Sequence, residues 1–261
     1  MFLINIFVEK RNRQLLLELT KKEIKQRYKQ SVLGYFWVIL APALQMMVMS
    51  FVFQFIFKPG DIGVPYSIFL FAGLLPWTLF SNSLASATNA LVDGAGLIKK
   101  IYFPREILIL STILAKNVDF FLSSIVFVVM MIVYGIPAHL TVLWIVVILL
   151  IQNLFTFGLS LITATLNLFY RDIQYLLSLI VLLWMYLTPI MYSTEIFPEK
   201  YRWIFKINPM AVFVNAYRES ILSGGMPNLI SLGIGLLLSL LLLIVGYKLF
   251  RRLEGQFADA V

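Results

Sequence analysis

Lys116 and Asp119 form the one clear pair of opposite charges inside the apolar stretches of this sequence. A spacing of three residues puts both side chains on one face of a helix, where the charges neutralise each other. Ionisable groups at membrane depth are costly and often mark the path of a substrate or an ion, which is the functional interpretation. A proton or ion relay needs more such groups, so a self-satisfied pair on a long helix is the stronger interpretation.

The residue patterns of common catalytic sites are absent from the sequence. There is no G-x-x-x-x-G-K-[ST] phosphate-binding loop, no G-x-S-x-G and no H-E-x-x-H. The lack of cysteine and the single histidine, His139, exclude thiolate and multi-histidine metal sites. The 13 acidic residues are scattered among loops. These absences predict that the chain has no catalytic residue and binds no metal or cofactor. An intramembrane transferase that uses one Asp or His stays open as an alternative.

Long uncharged stretches are the elements that must position any functional residue. Residues 34–57, 62–92, 173–194 and 220–247 carry no charge, and 120–170 contains only His139 as a weak base. A helix needs roughly 20 apolar residues to cross the hydrocarbon core of a bilayer. The composition is 61% hydrophobic and 13% charged, whereas soluble domains contain about 25% charged residues. The sequence therefore predicts an all-α integral membrane protein.

Six transmembrane spans fit these stretches. They lie at about 34–57, 66–91, 106–134, 141–169, 173–193 and 228–250, with Gly135-Ile136-Pro137 dividing the longest stretch. Residues 1–33 then form a cytoplasmic segment, and 34–261 a single transmembrane domain. An even number of spans places both termini on one side.

The distribution of basic residues predicts the orientation of these spans. Most Lys and Arg residues flank the spans on one side, and only five are expected on the other: Lys58, Lys200, Arg202, Lys206 and Arg218. The positive-inside rule places both termini in the cytoplasm. The net charge of +8 is explained by these loops, so nucleic acid is not expected as a partner.

Residues 12–29 are predicted to form an amphipathic helix ahead of the first span. Leu15, Leu16 and Leu19 share one face, and lysines follow further along. Such a helix lies in the membrane interface with its basic groups at anionic headgroups.

Residues 195–227 form the segment between the fifth and sixth spans. Pro198 suits the first turn of a short helix, Asn208-Pro209 ends that helix and begins another, and Gly224-Gly225 ends the second. Helices of about 8 and 14 residues are too short to cross a bilayer singly. A re-entrant hairpin on the outer side is predicted. The alternative is an interfacial loop with Trp and Tyr as membrane anchors.

The loop at residues 93–106, DGAGLIKKIYFPRE, mixes apolar, aromatic and basic side chains. Asp93-Gly94 interrupts the helix, 97–102 is predicted to form a short one, and Pro104 ends it. Aromatic residues are enriched at protein interfaces, so a protein partner below the membrane is expected. The alternative is a basic loop that only sets topology.

Four stretches together resemble the permease subunit of a type-2 ABC exporter, in the branch that exports O-antigen, capsular polysaccharide or teichoic acid. The stretches are KQRYKQSVLGYFWVILAPALQ (25–45), LIKKIYFPREILILS (97–111), YRDIQYLL (170–177) and the region from Thr188-Pro189-Ile190 through Asn208-Pro209 to Tyr217-Arg218. The resemblance covers essentially the whole chain.

The resemblance implies a homodimer in the bacterial cytoplasmic (inner) membrane, bound to two separate ATP-binding subunits that would hold ATP and Mg²⁺. It implies a polyprenyl-pyrophosphate-linked glycan as substrate, entering at cytoplasmic residues Arg27, Tyr28, Lys29, Tyr35 and Trp37. A pyrophosphate needs fixed cations, and Arg offers bidentate donors. The ATP-binding subunit is expected to contact Leu97, Ile98, Lys99, Lys100, Ile101, Tyr102 and Phe103.

Aromatic residues are the candidates for the glycan path, because sugar rings have apolar faces as well as polar edges. Channel-lining candidates are Phe51, Phe55, Trp77, Phe80 and Trp184, and outer-gate candidates are Tyr201, Trp203, Phe213 and Tyr217. Most aromatic residues in a bundle simply pack or face lipid. Export of a lipid, drug or other small molecule, or less favourably an enzyme acting on lipid-linked sugars, remain as alternative functions.

Overall fold

The computed structural model describes residues 9–28, 34, 36–54 and 63–260, and this part of the chain is helical without strands. Its α-helices are α1 Lys10–Tyr28, α2 Phe36–Val52, α3 Tyr66–Asp93, α4 Ala95–Ile98, α5 Glu106–Val133, α6 Trp144–Phe169, α7 Ile173–Leu187, α8 Trp203–Ile207, α9 Pro209–Ile221, α10 Leu229–Leu253 and α11 Phe257–Ala260. Short 3₁₀ turns occupy Leu140–Leu143, Thr194–Ile196, Glu199–Tyr201 and Glu254–Gln256.

Four helices among the described residues are long and apolar enough to cross a membrane. They are Tyr66–Asp93, Glu106–Val133, Leu140–Phe169 and Leu229–Gln256. Their bounds correspond closely to four of the six predicted spans. The division at Gly135 is confirmed: α5 ends at Val133, and Gly135 takes a φ of +67°. Within the described residues, α2 and α7 are shorter, with 17 and 15 residues.

Helix α7 ends earlier than the predicted span at 173–193. Its last residue is Leu187, and Thr188 already has the extended conformation that a following proline favours. The Asn208 side chain then serves two helices. Its Nδ2 donates to the Leu187 carbonyl at 3.1 Å, and its Oδ1 accepts from the Met210 backbone N–H at the start of α9. Oδ1 also accepts from the Trp184 indole at 2.9 Å.

The buried apolar side chains form two clusters. The larger one joins α3, α5, α6 and α9 and includes Phe71, Phe80, Phe155 and Phe213. The second contains residues of α1, α4 and α11 and includes Leu91, Ile98, Phe103, Phe250 and Phe257. The end of the bundle at which this cluster lies is called the basic end below. Helix α3 contributes to both clusters. In an 18-residue apolar stretch of α3, 78% of the residues are buried, whereas the corresponding share for α10 is 22%. Helix α3 is therefore central in the bundle, and α10 is peripheral.

Helix α1 packs its leucines against protein. Leu16 and Leu19 are buried in the second cluster, and Leu15 is half-buried beside them. The basic side chains Lys21, Lys22 and Lys25 are exposed. The apolar face of Leu15, Leu16 and Leu19 is therefore covered by the bundle. The predicted position of α1 in the membrane interface stays a prediction.

The segment after α7 departs from its predicted helix lengths. Two 3₁₀ turns precede α8, which has five residues, and α9 has 13. Helix α9 is buried along nearly its whole length and packs against α3, α6 and α10. Its Arg218, which the charge distribution assigned to the outer side, is buried.

Arg218 is held by backbone carbonyl groups from two other parts of the chain. Its Nε and Nη2 donate to the Phe69 carbonyl of α3 at 3.2 and 3.1 Å. Nη2 and Nη1 also donate to the carbonyls of Ile190 and Pro189, just beyond α7. The guanidinium carbon lies 3.6 Å from the centroid of the Phe69 ring, in the geometry of a cation–π contact. The charge is thus satisfied without a carboxylate among these contacts.

Glycines set the closest approach of two helices, α6 and α10. An ideal Cβ on Gly158 would lie 2.6 Å from the Leu243 backbone nitrogen, and one on Gly246 would collide with the Gly158 carbonyl oxygen. Small residues at such crossings let helix backbones approach closely where lipid provides no hydrophobic driving force.

Replacing Gly246 by Ala should therefore separate α6 from α10. Overpacking of this kind costs about 1–3 kcal/mol, and we expect a lower midpoint of thermal unfolding in detergent. The matched control is Gly233→Ala on the same helix, where an added Cβ meets nothing within 4 Å. That control should hold or slightly raise the midpoint, because Ala favours a helix over Gly by about 1 kcal/mol. Equal midpoints for the two variants would contradict the close crossing.

Candidate functional site

The loop between α3 and α5 contains the residues predicted to contact a partner. Its helix, α4, runs from Ala95 to Ile98, so it begins and ends earlier than the predicted helix at 97–102. Gly94 starts it by accepting hydrogen bonds from the Leu97 and Ile98 backbone N–H groups. The chain cannot continue as a helix into Phe103, because the residue before a proline disfavours the helical conformation.

Residues 97–103, called the docking loop below after the role predicted for them, are fixed at both ends and exposed in the middle. Ile98 and Phe103 are buried in the second cluster. Ile101 is 58% exposed and Tyr102 is 93% exposed, and Lys99 and Lys100 are exposed beside them. Leu97 is partly buried. The loop thus presents an apolar and an aromatic side chain from a fixed base, with two positive charges next to them.

A cavity of about 250 Å³ lies between α2, α3 and α5. Its lining combines an indole, amide and hydroxyl groups and both members of the charged pair: Trp37, Val38, Ala41, Pro42, Gln45, Thr78, Leu79, Asn82, Lys116, Asp119, Phe120 and Ser123. The Ser123 hydroxyl donates to the Val38 carbonyl at 3.0 Å and joins α5 to α2. Apolar faces, hydrogen-bonding groups and charges therefore meet in one recess.

The predicted entrance residues are only partly described. Trp37 lies in the cavity wall and is 45% exposed. Arg27 and Tyr28 form the last turn of α1, but their side chains lie outside the described part of the structure. Lys29 and Tyr35 also lie outside the described residues.

The channel-lining candidates fall into different environments. Phe51 is exposed on α2, and Phe55 lies outside the described residues. Trp77 and Phe80 are buried within the larger cluster, where the Phe80 ring centroid lies 5.2 Å from that of Trp184 and 5.6 Å from that of Trp77. Trp77 and Phe80 therefore pack in the core of this conformation, with Phe80 and Trp184 in the edge-to-face geometry that aromatic pairs favour.

The outer-gate candidates are also divided. Tyr201 and Trp203 are exposed, whereas Phe213 and Tyr217 are fully buried in α9. The Phe213 ring lies 5.9 Å from Phe155, and Tyr217 lies 6.2 Å from Phe120. Both rings therefore pack in the core of this conformation.

Uncharged polar side chains connect the long helices, and none of them was among the predicted functional residues. Asn117 of α5 and Asn153 of α6 exchange two amide hydrogen bonds of 2.8 Å. Gln152 donates to the Pro76 carbonyl at 2.7 Å, and the hydroxyls of Thr88 and Thr163 lie 2.7 Å apart. The sequence feature that could have predicted these contacts is an amide side chain within an otherwise apolar helix, because each such group must find a hydrogen-bond partner where water is absent.

Metal ligands do not gather in the described part of the chain. No group of three or more His, Cys, Asp or Glu side chains there could hold a metal ion.

Residues 14–222 match the family described as ABC-2 type transporter. The O-antigen export system permease protein RfbA of Klebsiella pneumoniae is 37% identical over 247 residues, covering 94% of each chain. Its counterpart from Myxococcus xanthus is 31% identical over 251 residues, covering 95% of this chain and 96% of that protein. The polysialic acid transport protein KpsM of Escherichia coli is 23% identical, covering 89% and 91%.

The amide pair of Asn117 and Asn153 gives a quantitative test of the helix contacts. We expect Asn117→Ala and Asn153→Ala each to destabilise the bundle, and the double variant to lose less than the sum. Interhelical hydrogen bonds in membranes show coupling energies of about 0.6 kcal/mol, up to about 1.7. The free energies of unfolding by denaturant in mixed micelles, measured for the wild type, both single variants and the double variant, would complete this double-mutant cycle. Strict additivity of the two losses would rule out a direct bond.

Proposed function

We propose, since this chain belongs to the ABC-2 type transporter family, that it is the transmembrane permease subunit of an ATP-driven exporter of polysaccharide. The observation that carries the proposal is the 37% identity, over 94% of each chain, to a relative named as an O-antigen export permease. A second relative named for polysialic acid transport widens the class to capsule-type polymers. The proposed substrate class is a bacterial surface glycan carried on a polyprenyl pyrophosphate.

Six crossings are proposed, with both termini in the cytoplasm of a bacterial inner membrane. Helices α2 and α7, with 17 and 15 residues, would measure about 26 and 22 Å at about 1.5 Å per residue. They are somewhat shorter than a hydrocarbon core of about 30 Å, which local thinning of the bilayer accommodates. In this arrangement the basic end, with α1, the docking loop and α11, faces the cytoplasm, in keeping with the charge bias of the loops.

ATP hydrolysis is assigned to a separate subunit, because the sequence contains no phosphate-binding loop. ATP and Mg²⁺ would bind there. Ile101 and Tyr102 are proposed to contact that subunit, with Lys99 and Lys100 at the rim of the interface. Exposed apolar and aromatic side chains on a fixed base are suited to this role, since aromatic residues dominate binding energy at interfaces.

The glycan path is proposed to lie between two copies of this chain. Helices α2 and α7 supply the apolar surface for such a homodimer: Phe51 of α2 is exposed, and none of the α7 side chains is buried within the protomer. Trp37 with Arg27, Tyr28, Lys29 and Tyr35 is proposed as the cytoplasmic entrance. The cavity lined by Trp37, Lys116 and Asp119 would form part of the wall of this glycan path.

The segment at 195–227 is proposed as a re-entrant closure on the outer side. Helix α9, with 13 residues, measures about 20 Å and lies inside the bundle, so it would enter the membrane without crossing it. Tyr201 and Trp203, which are exposed, are retained as gate candidates.

Deleting the gene tests the function directly. We expect completed lipid-linked polysaccharide to accumulate inside the cell, and re-expression of the chain with its ATP-binding subunit to restore polymer at the surface. Unfinished polymer would indicate a membrane enzyme instead, and unaffected polymer with a retained lipid or drug would indicate a different cargo.

Changing Ile101 and Tyr102 to Asp should separate the two subunits. Carboxylates in an apolar contact are poorly solvated, and we expect copurification of the ATP-binding subunit to fall by roughly tenfold or more, which corresponds to about 1.4 kcal/mol. Export should fall with it. The matched control is Leu140→Asp, an equally exposed apolar residue in the 3₁₀ turn before α6. Equal copurification in both variants would place the contact elsewhere.

The orientation can be checked by cysteine labelling, because the sequence contains no cysteine. In intact spheroplasts, Lys200→Cys and His139→Cys should react with a membrane-impermeant maleimide. Lys100→Cys should react only after the membrane is broken. Labelling of residue 100 from outside would refute the proposed topology.

A further inference from the structure

Arg105 and Glu106, which follow the docking loop and Pro104, contact the C-terminal part of the chain. Arg105 donates from Nη1 to the Glu254 carbonyl, across 149 positions of sequence. Its guanidinium carbon lies 5.6 Å from the centroid of the Phe257 ring, within the range of a cation–π contact. The last residue before α5 is therefore fixed by the 3₁₀ turn and helix that follow α10.

Glu106, the first residue of α5, is fully buried and faces the same segment. Its Oε1 lies 3.4 Å from Nε of Arg251. Neither of its carboxylate oxygens makes a hydrogen bond to the described residues, so Arg251 provides its opposite charge. Arg251 also donates from Nη1 to the Glu254 carboxylate and from Nε to the Tyr247 hydroxyl oxygen at 2.9 Å. The position at the start of α5 further favours a negative charge at Glu106.

Phe257 joins these polar contacts to the buried base of the loop. It is fully buried, with its ring 5.1 Å from Phe250 and 6.1 Å from Phe169. It belongs to the same cluster as Ile98 and Phe103, the two buried residues on either side of the exposed Ile101 and Tyr102. The C-terminal segment thus packs against the buried base of the docking loop. Its polar and charged groups contact Arg105 and Glu106, just beyond the loop.

We propose that the C-terminal segment, residues 250–260, positions the docking loop for the ATP-binding subunit through Arg251 and Phe257. The inference rests on the proposed function of this chain as the permease of an ATP-driven exporter. Arg251 and Phe257 are positioning residues: they hold Arg105 and Glu106, and the exposed Ile101 and Tyr102 make the contact with the partner. Without the segment, the loop would keep its sequence but lose its fixed orientation.

The orientation of the loop can be measured on the permease without its partner. A spin label on Lys100→Cys should report restricted motion in the otherwise unchanged chain and a larger mobile fraction in Arg251→Ala and Phe257→Ala. Arg251→Lys, which keeps a cation opposite Glu106, should recover the restricted spectrum. Arg252→Ala is the matched control, since Arg252 is exposed and adjacent. If Phe257→Ala fails to insert in the membrane, Phe257→Leu, which keeps an apolar side chain, is measured in its place.

The consequence for coupling is measured in proteoliposomes that contain the permease and its ATP-binding subunit, without a spin label. In Arg251→Ala and Phe257→Ala we expect the ATP hydrolysed per exported glycan to rise by about fivefold or more, which corresponds to a loss of about 1 kcal/mol in the productive contact between the subunits. Arg252→Ala should match the wild type. Restricted spin-label motion together with unchanged coupling in both variants would overturn the positioning role. Absence of glycan export by the wild-type complex would instead refute the proposed function, and the spin-label result would remain interpretable.

Discussion

The buried guanidinium of Arg218 is the constraint on which the packing of the bundle depends. A charged group taken out of water costs several kcal/mol unless it is paired or hydrogen-bonded, and here the partners are carbonyls of Phe69, Pro189 and Ile190. Helix α9, the start of α3 and the turn after α7 must therefore stay together. Gly73 makes this possible, because an added Cβ there would lie 2.6 Å from Nη2 of Arg218.

The arrangement around Arg218 also explains why α7 stops early and α9 lies inside the bundle. Pro189 ends α7 and leaves its carbonyl free of helical hydrogen bonds, so the carbonyl is available to Arg218. Tyr66 adds a further link by donating its hydroxyl proton to the Met191 carbonyl at 2.8 Å. Asn208 then closes the same region by capping α7 and α9. At the end of α7, side chains meet the carbonyls of Trp184, Tyr186 and Leu187. At the start of α9, the Asn208 side chain meets the N–H groups of Met210 and Ala211, as a site without access to water requires.

The sequence predicts the long helices well because uncharged runs and breakers act locally. The bounds of α3, α5 and α10 follow from where charges, Gly and Pro interrupt apolar residues. The sites are less predictable because they depend on contacts between distant residues. Arg218 counts as one more loop cation until its carbonyl partners are known. Phe213 and Tyr217 were predicted as gate residues, and their packing against Phe155 and Phe120 in this conformation could not be derived from the sequence, because it depends on contacts between helices.

Helix α3 connects the two ends of the molecule through its interior. Its first turns contain Phe69, which binds Arg218, and it ends at Asp93, four residues before the docking loop starts. Near that second end, Thr88 and Asn89 are bonded to Thr163 and Asn167 of α6. With 28 residues it measures about 42 Å, and its burial in both clusters leaves little room for one end to shift alone. The docking loop therefore follows a buried helix whose first turns are held by Arg218.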